Sequence, residues 1–128
     1  MNKRIIITAS LFGMLAVILG AFGAHGVKPK ISTDEMQIWK TAVEYHFYHV
    51  FALLFLSTIA GVRSRLINIS YWFFTIGIIL FSGSLYILAA KSILNITQTS
   101  FIGPITPVGG LCFIIGWTAL LLAAIRNK

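Results

Sequence analysis

Four apolar blocks, each about as long as a bilayer is thick once wound into a helix, leave this chain few folds to choose from. A helix rises about 1.5 Å per residue, so about 20 residues cross a hydrocarbon core of roughly 30 Å. The blocks run from Ile5 to Ala24, from about Ala42 to Gly61, from Ser70 to Ala90 and from about Ile105 to Ile125. Charged residues are 10% of the 128 in the chain, where a soluble domain carries about a quarter. Too little polar surface remains to cover a water-soluble globule. The expected fold class is all-α, a four-helix transmembrane bundle forming a single integral membrane domain over residues 1–128, with the lipid bilayer as its first partner.

The same composition excludes several functions. The single cysteine, Cys112, forms neither an internal disulfide nor a thiolate zinc set, and inside an apolar span it reads as a small packing residue. The net charge of +7 is scattered between the blocks rather than gathered into a basic stripe, so no nucleic-acid partner is expected. No Gly-rich phosphate loop with a following Lys and Ser/Thr occurs, and no Gly-x-Ser-x-Gly elbow. The basic residues read instead as topological signals. Lys3, Arg4, Arg63, Arg65, Arg126 and Lys128 fall on one side of a four-span arrangement, against Lys28, Lys30, Lys40 and Lys91 on the other. That excess predicts both termini in the cytoplasm. Lys3 and Arg4 before an apolar run also resemble a cleavable signal peptide. The run is longer than the about 7–15 residues of such a segment, so a retained helix is expected.

Between the first two blocks, Ser32 and Glu35 have the spacing of a capping box. A helix starting there either continues through Trp39 into the second span or lies as a short amphipathic piece on the membrane surface. Pro104 and Pro107 suit the first turn of the fourth helix, where a missing N–H leaves no bond unmade; a kinked entrance is the alternative. Ala16, Gly20 and Ala24 recur at every fourth position of the first helix, and Gly77, the Ser82-Gly83-Ser84 cluster, Gly116, Ala119 and Ala123 supply small residues to the third and fourth. Small residues let helices approach closely in lipid. They build the bundle itself or, alternatively, a homo-oligomer interface.

Polar chemistry gathers in one corner. Glu44 is the acid expected at a span, and His25, His46 and His49 fall near it in expected depth, since antiparallel first and second helices bring all four toward one membrane face. Ionisable groups within a membrane are costly and so mark functional candidates. His25, Glu44, Tyr45 and His49 are therefore the candidate ligand-binding residues, and no catalytic residue emerges. His25, His46 and His49 are weak metal or haem candidates, because His-x-x-His on a helix lets two nitrogens converge. Glu44 projects about 200° away from His46 around the helix, which leaves that ligand set incomplete. No cofactor follows from the sequence. The competing expectation is an interfacial rim, with Glu44 paired to Lys40 and the histidines bonded to loop backbone.

The segments Gly20-Ala-Phe-Gly-Ala-His-Gly26, Thr41-Ala-Val-Glu-Tyr45 with Tyr48-His49, Phe81-Ser-Gly-Ser-Leu-Tyr86 and Gly103-Pro-Ile-Thr-Pro-Val-Gly-Gly110 resemble a family of small multi-pass membrane proteins, domain of unknown function 423, also called uncharacterised protein family 0382. The resemblance covers nearly the whole chain. It implies four spanning helices, a retained first helix and a place in the bacterial inner membrane, and it implies no reaction. His25 and His49 match the family pattern, whereas position 46 there often carries glutamine, which weakens a metal set requiring His46. Three functions are carried forward: a non-enzymatic packing or interaction component of the membrane; a binding or transport module for a small lipophilic or protonatable ligand at the His/Tyr/Glu pocket; and a metal- or haem-binding redox protein.

Overall fold

A computed structural model describes residues 2–59 and 65–126. The helices are α1 (Lys3–Phe22), α2 (Thr33–Ile59), α3 (Arg65–Gly77), α4 (Gly83–Ala89) and α5 (Ile105–Arg126). A π-helical turn, Ile78–Ser82, joins α3 to α4 without a break, so the two form one rod. A second π turn, Gly23–Val27, and a 3-10 turn, Lys28–Lys30, finish α1. Four rods long and apolar enough to cross a membrane result, and no strand occurs among the described residues. The expected end of the second span at residues 60 and 61 lies outside the described residues, as do Arg63 and Lys128 of the charge count.

Local chemistry sets the helix starts. Ser32 Oγ accepts from the Glu35 N–H at 3.1 Å, and Glu35 Oε1 accepts from the Ser32 N–H at 3.2 Å, which is the reciprocal capping box. From that cap α2 continues unbroken to Ile59, so the polar stretch before the second block belongs to the spanning helix and is not a separate surface piece. Pro104 precedes α5 and Pro107 sits in its first turn, a plain helix start where proline costs no hydrogen bond.

Glycines fix how the rods face one another. A Cβ on Gly13 or Gly20 would touch Val50 or Val43, and one on Gly23 would strike the Trp39 indole. Facing residues of the antiparallel α1–α2 pair therefore have numbers that add to 62 or 63. In the α3–α5 pair, Phe113 fills the space beside Gly77, Phe74 fills the space beside Gly116, and the Phe81 backbone lies against Gly109. These numbers add to 190 in each case. Ser70 Oγ donates to the Gly116 carbonyl at 2.9 Å and Ser82 Oγ to the Ala42 carbonyl at 2.8 Å, and both serines are buried. The main core gathers Ile5, Val50, Leu53, Leu56, Phe74 and Phe113, and a smaller cluster around Val27, Trp39 and Ala89 closes the other end.

Candidate functional site

The registers place the candidate residues in depth. His46 is the midpoint of Thr33–Ile59, and His49 lies level with residue 14 of α1. The stacked ring of Phe113 and the edge of Phe74 belong to the middle turns of α5 and of the α3–α4 rod. Both histidines therefore sit near mid-length of the bundle, away from the helix ends. The hydropathy block that begins at residue 42 places them near a helix start, whereas α2 starts nine residues earlier, at Thr33. His25, by the α1–α2 register, lies level with residue 38, about 16 Å along the axis from His49. The expected convergence of His25 with His49 is corrected accordingly: His25 is exposed just beyond α1, while His46 and His49 are buried.

A histidine at that depth needs partners for both ring nitrogens, because an unpaired polar group in hydrocarbon is costly. His49 has them. Its Nδ1 lies 2.7 Å from the Tyr45 carbonyl oxygen, and the Trp117 Nε1–H donates to its Nε2 at 3.1 Å. A carbonyl only accepts and an indole N–H only donates. The proton is thus on Nδ1, Nε2 is an acceptor, and the imidazole is neutral. The ring also stacks on Phe113, with centroids 3.5 Å apart and planes 9° apart, and meets Phe74 edge-on at 5.4 Å. With both nitrogens and one face engaged, His49 is a structural centre with no lone pair left for a metal.

His46, one turn back, is held differently. Its Nδ1 lies 2.9 Å from the Tyr86 hydroxyl, and Tyr86 in turn packs edge-on against Trp39 at 4.9 Å. The Trp39 indole N–H donates to the Leu19 carbonyl at 3.1 Å, and this contact requires Gly23 to lack a side chain. His46 Nε2 is buried and has no hydrogen-bond partner among the described residues, and the Phe12 ring meets the imidazole edge-on with centroids 6.0 Å apart. No group of three or more His, Cys, Asp or Glu side chains among the described residues has the arrangement of a metal site.

The candidate ligand-binding residues divide between two grooves. Glu44 is exposed on the flank of α2 and lines a shallow groove of about 210 Å³ with Gly20, Ala24, Trp39 and Lys40. Tyr45 and His49 line a larger one of about 560 Å³, together with Gly110, Leu111, Phe113 and Trp117. This second groove is open along its length, and no charged side chain lines it. Its outer walls, Leu111, Ile114 and Trp117, are exposed where hydrocarbon would surround them. Phe113 and Trp117 were not singled out from sequence. Trp117 is separated from His49 by 68 positions, and only the α5 register brings it opposite. The short spacing from His49 to Tyr45 was the one local signal.

Four apolar rods, paired through glycine contacts around a neutral buried histidine, define a multi-pass α-helical membrane protein. The chain belongs to the family described as protein of unknown function (DUF423), whose model matches residues 19–110. It is 45% identical over 124 residues to the UPF0382 membrane protein SAB0533 of Staphylococcus aureus (strain bovine RF122 / ET3-1), covering 97% of each chain. It is 43% identical over 126 residues to the UPF0382 membrane protein YwdK of Bacillus subtilis (strain 168), covering 97% of this chain and 98% of that one. No solved structure matches the chain. The stretch matched by the family model includes both π turns, Tyr45 and His49, and ends at Gly110, before Leu111, Phe113 and Trp117 of the larger groove.

Proposed function

We propose that the protein is a non-enzymatic binding module that seats an uncharged, lipophilic molecule from the bilayer in the groove between α2 and α5. The observation that carries this reading is the groove floor: His49 is neutral, bonded through both nitrogens and stacked on Phe113, so the wall it offers is rigid and aromatic. A volume of about 560 Å³ is in the range of small-molecule sites, and the lateral opening admits a guest from lipid without passage through water. The absence of lining charge favours an uncharged guest. Of the small residues expected on helix faces, Ala16, Gly77, Ser82, Ser84, Gly116, Ala119 and Ala123 are buried inside the bundle, Gly20 and Gly83 are half-buried and Ala24 is exposed, so most of that surface is used within the bundle and the groove is the better-formed binding feature.

Gly110 supplies the test. A Cβ there meets only the Phe81 ring, at an ordinary 3.7 Å, so Gly110→Leu fills the groove without forcing the helices apart. Protein purified in mild detergent from its own membranes is extracted with organic solvent, and the extract is compared by mass spectrometry between wild type and variant. A lipophilic species retained by wild type and depleted at least about tenfold in Gly110→Leu, the equivalent of about 1.4 kcal/mol, supports the assignment. Identical extracts from two equally stable proteins overturn it.

A further inference from the structure

The end of the bundle where α1 and α3 begin carries a second organised site, built on Arg4. Its Nη2 donates to Asn68 Oδ1 at 2.7 Å, and its guanidinium carbon lies 4.7 Å from the centre of the Tyr71 ring and 5.8 Å from that of Trp72. Tyr71 is buried and its hydroxyl is fixed to Thr8 at 2.9 Å, so the ring beneath the guanidinium is held in place. Trp72 is 46% exposed, as an aromatic side chain at the level of lipid headgroups is. A guanidinium has five N–H donors in a fixed fork. Arg4 uses one toward a described side chain and is itself exposed, which leaves donors turned outward.

The surroundings repeat the sign. The register of the α3–α5 pair sets Arg65 level with residue 125, so Lys3, Arg4, Arg65 and Arg126, all exposed, share one end of the bundle. The three acids of the chain, Asp34, Glu35 and Glu44, all lie in the first half of α2, toward the opposite end. Among the described residues, no aspartate or glutamate side chain lies at the Arg4 end.

We propose that Arg4, positioned by Asn68, Tyr71 and Trp72, binds the phosphate of an anionic phospholipid headgroup. A guanidinium pinned at one nitrogen and supported on two rings keeps its outer edge ready for a bidentate contact with phosphate oxygens, and such charge-assisted pairs are shorter and stronger than neutral ones. The aromatic pair sets the depth of the contact at the headgroup layer. Acyl chains then extend along the apolar flanks of α1 and α3.

Native mass spectrometry of the protein equilibrated with equal amounts of phosphatidylglycerol and phosphatidylcholine tests the assignment. Wild type should retain the anionic lipid with about a tenfold preference, Arg4→Gln should reduce that preference to near unity, and Arg4→Lys should fall between, because an ammonium keeps the charge and loses the fork. Lys28→Gln, at the opposite end, should leave the preference unchanged. A preference that survives in Arg4→Gln, or that falls as far in Lys28→Gln, overturns the site in favour of diffuse charge. Millimolar inorganic phosphate should not displace the lipid, and displacement would make this a free-anion site. If Arg4→Gln does not fold, Asn68→Ala decides: it preserves the charge, releases the guanidinium and should lower the preference severalfold, and an unchanged preference counts against the proposal.

Discussion

Gly109 and Gly110 are adjacent in α5, and alanine at the two positions should have opposite consequences. In a helix interior the change from glycine to alanine is favourable by about 0.8–1 kcal/mol at either site, so propensity cannot separate them. Space can. A Cβ on Gly109 would overlap the Phe81 backbone nitrogen and Cα, which belong to the π turn and cannot swing away as a side-chain tip does. One on Gly110 would rest at 3.7 Å from the Phe81 ring. Overpacking of this kind costs about 1–3 kcal/mol, and rigid backbone as the obstacle places Gly109→Ala at the upper end. Set against the propensity gain, Gly109→Ala should destabilise by about 2 kcal/mol, and Gly110→Ala should be neutral or stabilising by up to about 1 kcal/mol. Both are measured by the loss of helical circular dichroism as sodium dodecyl sulfate is titrated into protein in mild detergent. Equal unfolding midpoints for the two variants would refute the close approach of α5 to the π turn and, with it, the register that brings Trp117 to His49.

Other substitutions test separate contacts. Trp117→Phe removes the donor to His49 Nε2 and leaves a buried acceptor unpaired, so it should cost about 1–3 kcal/mol in the same titration. Gly23→Ala should displace the Trp39 indole from the Leu19 carbonyl and shift the tryptophan emission; an unchanged spectrum with unchanged stability would contradict that packing. Ser32→Ala removes half of the capping box and should cost about 1 kcal/mol, read as a lower unfolding midpoint.

The sequence predicts the spans because about 20 apolar residues have few alternatives once charge is scarce. It also predicts the start of α2, since a capping box is a local signal. Depth was harder to read. Residues 33–41 are polar enough to fall outside a hydropathy block, yet they are wound into the same helix as the histidines, and that extension puts His46 and His49 near mid-helix. The two π turns were likewise hidden, because Gly-Ala-His-Gly-Val and Ile-Ile-Leu-Phe-Ser read locally as ordinary helix or loop. Each lies against a neighbour distant in sequence, Gly23 against Trp39 and Phe81 against Gly109 of α5. Tyr45 and His49 were identifiable from type and spacing, whereas Phe113 and Trp117 looked like any aromatic residue in a span. Only expected depth links His25 and Glu44 to that pair in the sequence.

The central claim is that His49 is a neutral, doubly bonded imidazole forming the floor of an apolar groove, and a nitrogen spectrum tests it most directly. In protein labelled with ¹⁵N at histidine and reconstituted in bilayers, His49, assigned by its loss in His49→Gln, should show a protonated Nδ1 and an unprotonated Nε2 accepting a hydrogen bond at neutral pH. That Nε2 signal should move in Trp117→Phe. A proton on Nε2, an imidazolium signature, or an Nε2 shift indifferent to Trp117 would contradict the account.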